Sequence, residues 1–182
     1  MMNGYLSHSL SMARRDPPFT AAAAIAIVGA LGIAIVYFFQ YVLLILPCPL
    51  CLEQRIAFYF SIPLAALLWL GAKHGASRQL LLLGFLVIML AMLWNTGLSI
   101  YHAGVEWKWW AGPLDCSGPI DKFGNARDVL NQLQKHISLV RCDEAAWRFL
   151  GISLAGYDVP LSFFLAAVAA WGAWSSRARR QG

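Results

Sequence analysis

The residues whose chemistry is most specific are four cysteines: Cys48, Cys51, Cys116 and Cys142. The first two form a C-x-x-C, Cys48-Pro49-Leu50-Cys51. Two intervening residues allow a small, strained disulfide ring, and such pairs recur in redox proteins because one thiolate can be stabilised there. Cys51 is expected to open a helix, where unpaired backbone N–H groups and the positive end of the macrodipole favour a thiolate. Arg55, four residues on, falls on the same helical face one turn deeper. Its fork of donors suits both a thiolate and the carbonyl oxygen of a bound quinone. Cys116 and Cys142 lie 26 positions apart. As a purely structural disulfide they would add about 3–4 kcal/mol by closing that loop. With a second pair nearby, exchange between pairs is the alternative, since it needs only a reachable sulfur and a thiolate attacker. His102 is either an interfacial side chain or a hydrogen-bond and proton partner for a quinone. A structural zinc wants four closed ligands, and the four cysteines keep that reading open beside the redox one. Covalent haem is excluded, because Leu52 rather than histidine follows Cys51.

These residues need a scaffold, and the composition names its class. The 182 residues support one domain. Apolar side chains make up 59% and charged ones 13% of the chain, against about 45–50% and about 25% in soluble proteins. The excess sits in long blocks. Phe19 to Leu46 carries no charge and ends among Tyr37, Phe38, Phe39 and Tyr41, aromatics suited to a membrane interface. The run is too long for the core of a cleaved signal peptide. Pro47 and Pro49 interrupt it, and further apolar runs follow. Helices are expected over about 19–46, 52–72, 79–103 and 159–175, with Pro63 inside the second. The 104–158 loop is polar and mixed in charge. Within it Ala126, Val129, Leu130, Leu133 and Ile137 follow helical spacing, which predicts a short amphipathic helix on the membrane or over the bundle. The fold class is therefore an all-α membrane protein, a single four-helix transmembrane bundle with one large outer loop.

Four spans put both termini on one side. Seven of the 14 basic residues (Arg14, Arg15, Lys73, Arg78, Arg177, Arg179 and Arg180) lie in the tails and the 73–78 turn. Positive-inside bias places those segments in the cytoplasm and every cysteine on the outer side. The net charge of +5 is explained in the same way, with no nucleic acid partner.

The run Cys48-Pro49-Leu50-Cys51-Leu52-Glu53-Gln54-Arg55 after one span, with a distant cysteine pair between spans three and four, resembles the DsbB family of bacterial disulfide-bond formation proteins. Tyr101-His102-Ala103-Gly104-Val105-Glu106, followed by Trp109-Trp110 and Gly112-Pro113-Leu114-Asp115-Cys116, is similar to members of that family, including its DsbI-type branch. The resemblance covers nearly the whole chain and implies an inner-membrane oxidoreductase with periplasmic cysteines. It implies redox-active disulfides Cys48–Cys51 and Cys116–Cys142. A DsbA-like, thioredoxin-fold oxidase would attack at Cys116, Cys142 would pass electrons to Cys48, and Cys51 would meet a quinone (ubiquinone or menaquinone) beside Arg55. His102 matches the family's quinone-side histidine only approximately. No resident metal is implied. The alternatives are a DsbI-type paralogue serving one dedicated partner, and a zinc-holding or structural membrane module. The vitamin K epoxide reductase type places its loop pair before the C-x-x-C, the reverse of the order here.

Overall fold

The computed structural model describes residues 16–113 and 141–178. Cys116 and the amphipathic stretch 126–137 lie outside these residues. Four helices carry the fold: α1 (Pro17–Tyr41), α2 (Pro49–Lys73), α3 (Arg78–Glu106) and α4 (Leu154–Ala178). All four are long and apolar enough to cross a membrane. A helix of 25 residues rises about 37 Å, and the hydrocarbon core it must cross is about 30 Å thick. The described residues thus form a four-helix transmembrane protein.

The helices form a ring in which α1 packs on α2 and α4, and α3 packs on α2 and α4. Small residues at the contacts let the backbones approach, as membrane helices require when lipid is as apolar as the core. Ala21, Ala22, Ala65, Ala169 and Ala173 are buried around Ile25, Phe85, Ile88 and Met92. Ile27, Leu31, Leu67, Leu83, Leu90, Trp94 and Trp174 point outward. Gly172 faces the fully buried ring of Phe85, where an added Cβ would come within 2.8–2.9 Å of three ring carbons.

Helix ends depart from the hydropathy pattern at two places that matter. Helix α1 stops at Tyr41, although the uncharged run continues to Leu46. Pro47 and Pro49 cannot donate to a continuing helix. The chain turns with Leu44 at φ 56°, while the N–H groups of Leu43 and Ile45 return to the carbonyls of Phe38 and Phe39. Helix α4 begins at Leu154 rather than Val159, capped by Ser153 Oγ, which accepts the Gly156 N–H at 3.1 Å. Asp158 therefore belongs to the span and not to the loop. Just before α4, the two-residue strands β1 (Arg148–Phe149) and β2 (Ile152–Ser153) pair antiparallel. Leu150 and Gly151 between them both have positive φ, the requirement of a tight two-residue hairpin turn.

Gly172→Val is expected to destabilise the bundle by about 1–3 kcal/mol, because Phe85 has no room to yield. Thermal unfolding in detergent reads this. A midpoint equal to wild type would mean that the α3–α4 contact is looser than described.

Candidate redox site

Pro49 takes the first helical position of α2, where a missing N–H costs nothing. Cys48 becomes the N-cap, and its sulfur accepts the Cys51 N–H at 3.3 Å. The free N–H of the helix start is thus given to Cys48, whereas the spacing had favoured Cys51. The two sulfurs are free thiols 2.8 Å apart. His102 arrives from α3 with Nε2 at 3.5 Å from the Cys48 sulfur. Its Nδ1 faces the Gln54 side-chain amide at 3.3 Å. With that amide donating, the ring hydrogen sits on Nε2 and is directed at the sulfur. Glu106, one turn beyond on α3, places a carboxylate oxygen 3.8 Å from the same Nε2.

Cys48 stands just before the span, and its thiol is drawn down to about 5. The hydrogen bond with the Cys51 thiol is the main cause, followed by His102, with burial opposing both.

Cys142 is buried against Cys48, Leu50 and Val105. Its sulfur, the Cys48 sulfur and a His102 nitrogen lie within 4.8 Å of one another. Cys142 is disulfide-bonded. In that state it offers no thiolate, the form a metal takes. The segment carrying it is fastened to the end of α3. Arg141 donates to both oxygens of Asp143 at 2.9 and 2.8 Å, and Lys108 reaches Asp143 at 3.0 Å. Arg141 and Lys108 hold the Asp143 carboxyl well below the usual carboxylate range. Gly104 lets the Trp110 ring lie against α3, where a Cβ would overlap it. Trp110 donates to the Tyr101 carbonyl at 2.7 Å and stacks on the Tyr101 ring.

Two cavities meet at the C-x-x-C. The larger has a volume of about 100 Å³ and is walled mainly by apolar side chains of α1, α2 and α4. Its polar groups include Cys51, Gln54, Arg55 and Asp158. Arg55 is 7% exposed, donates from Nη1 to Gln40 Oε1 at 2.6 Å, and lies over the Tyr37 ring. Its Nε is buried with no hydrogen-bond partner. The smaller cavity, about 30 Å³, is lined by Cys48, Cys51, His102, Glu106 and Arg141 among others. Cys51 borders both. The structure therefore brings Arg55 together with Cys51, as the spacing predicts, and sets His102 against Cys48 on the other side. Gln54, Glu106 and Asp158 were not singled out by sequence reasoning. The signal for Glu106 was its i, i+4 spacing from His102. For Asp158 it was the i, i+4 spacing to Ser162 at the edge of an apolar run.

With the Cys48–Cys51 pair reduced, thiolate absorbance is expected to fall as pH is lowered through about 5. His102→Ala should move that midpoint upward, since the favourable ring is gone. An ultraviolet titration that finds the same midpoint in both proteins would remove His102 from the thiolate's support.

The family described as disulfide bond formation protein DsbB matches residues 16–172. The curated relatives are each named disulfide bond formation protein B. That of Hahella chejuensis is 30% identical over 168 residues, covering 85% of this chain and 91% of its own. That of a Psychrobacter species is 32% identical over 115 residues, covering 59% of this chain and 63% of its own. That of Nitrosococcus oceani is 26% identical over 157 residues, covering 78% and 83%. No solved structure matches the chain. A C-x-x-C at the mouth of a four-helix membrane bundle, with a second cysteine packed on it, agrees with these matches, and the chain belongs to the DsbB family of disulfide bond formation proteins.

Proposed function

We propose that the chain reoxidises a DsbA-like dithiol oxidase outside the cytoplasm and passes the electrons to a membrane quinone. The observation that carries this reading is the position of Cys51 between two cavities, one holding Cys48 and His102 and the other holding Arg55. The larger cavity suits a quinone head in character, since ligand pockets have mostly apolar walls and few polar groups. The unpartnered Nε of Arg55 is a donor without an acceptor in an apolar wall, which a ring carbonyl would satisfy.

The route runs in from the loop. A partner thiolate attacks the Cys116–Cys142 disulfide at Cys116, and Cys142 leaves as a thiolate. Cys142 then attacks Cys48 of an oxidised Cys48–Cys51 pair, a transfer supported by the 4.8 Å limit on the separation of the two sulfurs. The Nε2–H of His102 and the N–H of Cys51 favour negative charge on Cys48 whenever it is released. Cys51 is freed toward the larger cavity, beside Arg55. A bound quinone supplies a two-electron, two-proton sink of higher potential than a DsbA-type disulfide, which lies near about −120 mV. The partner's second thiolate then attacks its mixed disulfide, and the partner leaves oxidised. The freed Cys116 re-forms the disulfide with Cys142 and releases Cys48, and oxidation of the Cys48–Cys51 dithiol returns the protein to its starting state.

Purified protein is expected to reduce added quinone when given a reduced DsbA-like partner. Cys51→Ser or Cys116→Ser should abolish this turnover. Variants that keep full activity would defeat the reading, and one equivalent of zinc held by the fully reduced protein would favour the metal-holding alternative. Arg55→Ala is expected to raise the quinone KM at least several-fold while leaving the partner's KM alone. Steady-state kinetics with each substrate varied in turn separates the two, and an unmoved quinone KM would take Arg55 out of the cavity's chemistry.

A further inference from the structure

Asp158 is a carboxylate inside a membrane span, and the route described above leaves it unused. It stands in the second turn of α4 and retains partial exposure. It also lines the larger cavity with Cys51 and Arg55. Ionisable groups within membrane spans are rare and costly, and they tend to mark ion or proton pathways. Three donors hold this one in place. Asn95 Nδ2 and Ser99 Oγ donate to Oδ2 at 3.0 and 2.6 Å, and Ser162 Oγ donates to Oδ1 at 3.2 Å. Asn95 and Ser99 come from α3 and Ser162 from α4, so the carboxyl also ties the two helices. A neutral amide could make such a tie without burying a charge. Oδ1 carries one of these bonds and keeps a lone pair, because each carboxylate oxygen can accept two.

We propose that Asp158 is a catalytic acid–base group of this cavity, serving the oxygen of a quinone ring as it becomes a hydroxyl. The inference rests on the quinone reading above. When the Cys48–Cys51 dithiol closes to a disulfide it gives up two electrons and two protons, and the ring takes both pairs. Asp158 accepts one of those protons and hands it to a ring oxygen, ending in the state in which it began. Arg55 then has the complementary task of donating to a ring oxygen. The cavity thus matches a ligand with two separated ring oxygens, as in benzoquinones and naphthoquinones, rather than one with a single polar end.

The test uses the full chain in detergent, reduced with dithiothreitol, freed of excess reductant and mixed with a short-tailed benzoquinone. Single-turnover quinone reduction by Asp158→Asn is expected to be roughly 100-fold slower than wild type, the scale of a lost general acid–base group. Asp158→Glu should recover part of the rate. Redox-difference infrared spectra supply a second readout, independent of turnover. A carboxyl band that moves on reduction in wild type should shift with carboxyl-labelled aspartate, and it should be missing from Asp158→Asn. Wild-type protein that never reduces the benzoquinone overturns the quinone reading and this proposal with it. Wild-type turnover with an equally fast Asp158→Asn, or with no labelled aspartate band that responds, overturns the proposal alone and leaves Asp158 as a helix tie. The labelled wild-type spectrum decides between these outcomes even if the variant does not fold.

Discussion

A helix that starts at a membrane face must find acceptors for its first N–H groups, and α2 finds one in the sulfur of Cys48. Pro49 at the first helical position removes one donor outright. The N–H of Cys51 then turns toward Cys48 and holds the two sulfurs on one side of the helix mouth. Both cysteines are thus held by the backbone of a rigid element rather than by a loop. Everything else at this end of the bundle is placed relative to them. Gln54 and Arg55 follow within the next turn of α2, so one helix start fixes the dithiol, the histidine's orienting amide and the guanidinium together.

The partners of these groups come from the other helices, and each has a definite task. His102 on α3 puts its Nε2 at the Cys48 sulfur because Gln54 of α2 occupies its other nitrogen. Gln40, near the end of α1, accepts from Arg55 and keeps the guanidinium beside the cavity. The Lys108–Asp143–Arg141 cluster holds the segment that carries Cys142. Exposed ion pairs of this kind contribute at most about 1 kcal/mol each to stability, so the cluster matters for position. Cys142 is buried at 1% exposure and Cys48 at 3%, so of the C-x-x-C pair Cys51, which is half-buried, is the sulfur more open to a small thiol in solution.

The spans were legible because an uncharged run long enough to cross a bilayer has few other uses, and the cysteine spacing carried the chemistry. What hydropathy misjudged were the junctions. Val42 to Leu46 are as apolar as a span yet form a turn, since the prolines ahead remove the donors a helix needs. Asp158 looks like a loop residue, yet α4 starts before it, because Ser153 caps the first turn, and Pro160 inside the helix is tolerated as prolines in packed membrane helices are. The hairpin at 148–153 was invisible, its strands being two residues long. That Arg55 shares a cavity with Cys51 follows from their positions on one helix. That His102 faces Cys48 rather than that cavity depends on α3 crossing the mouth of α2, a contact between residues 54 apart in sequence. No local pattern encodes it.

The two cavities have different characters, and the difference follows from their walls. The smaller one gathers two sulfurs, an imidazole, two carboxylates and a guanidinium at the bundle's end, polar groups that can support thiolate formation and exchange. The larger one is walled by apolar side chains reaching back along α1, α2 and α4, where a ligand with a long hydrocarbon tail would stay continuous with lipid. A single thiol, Cys51, borders both. Charge separated in the smaller cavity is stabilised by donors at hand, whereas among the described residues the larger one offers few polar groups, chiefly Gln54, Arg55 and the Asp158 network, to any oxygen that gains charge. On the proposed route, electrons would therefore pass from a site built for anionic sulfur to a site that tolerates charge only when protons arrive with it.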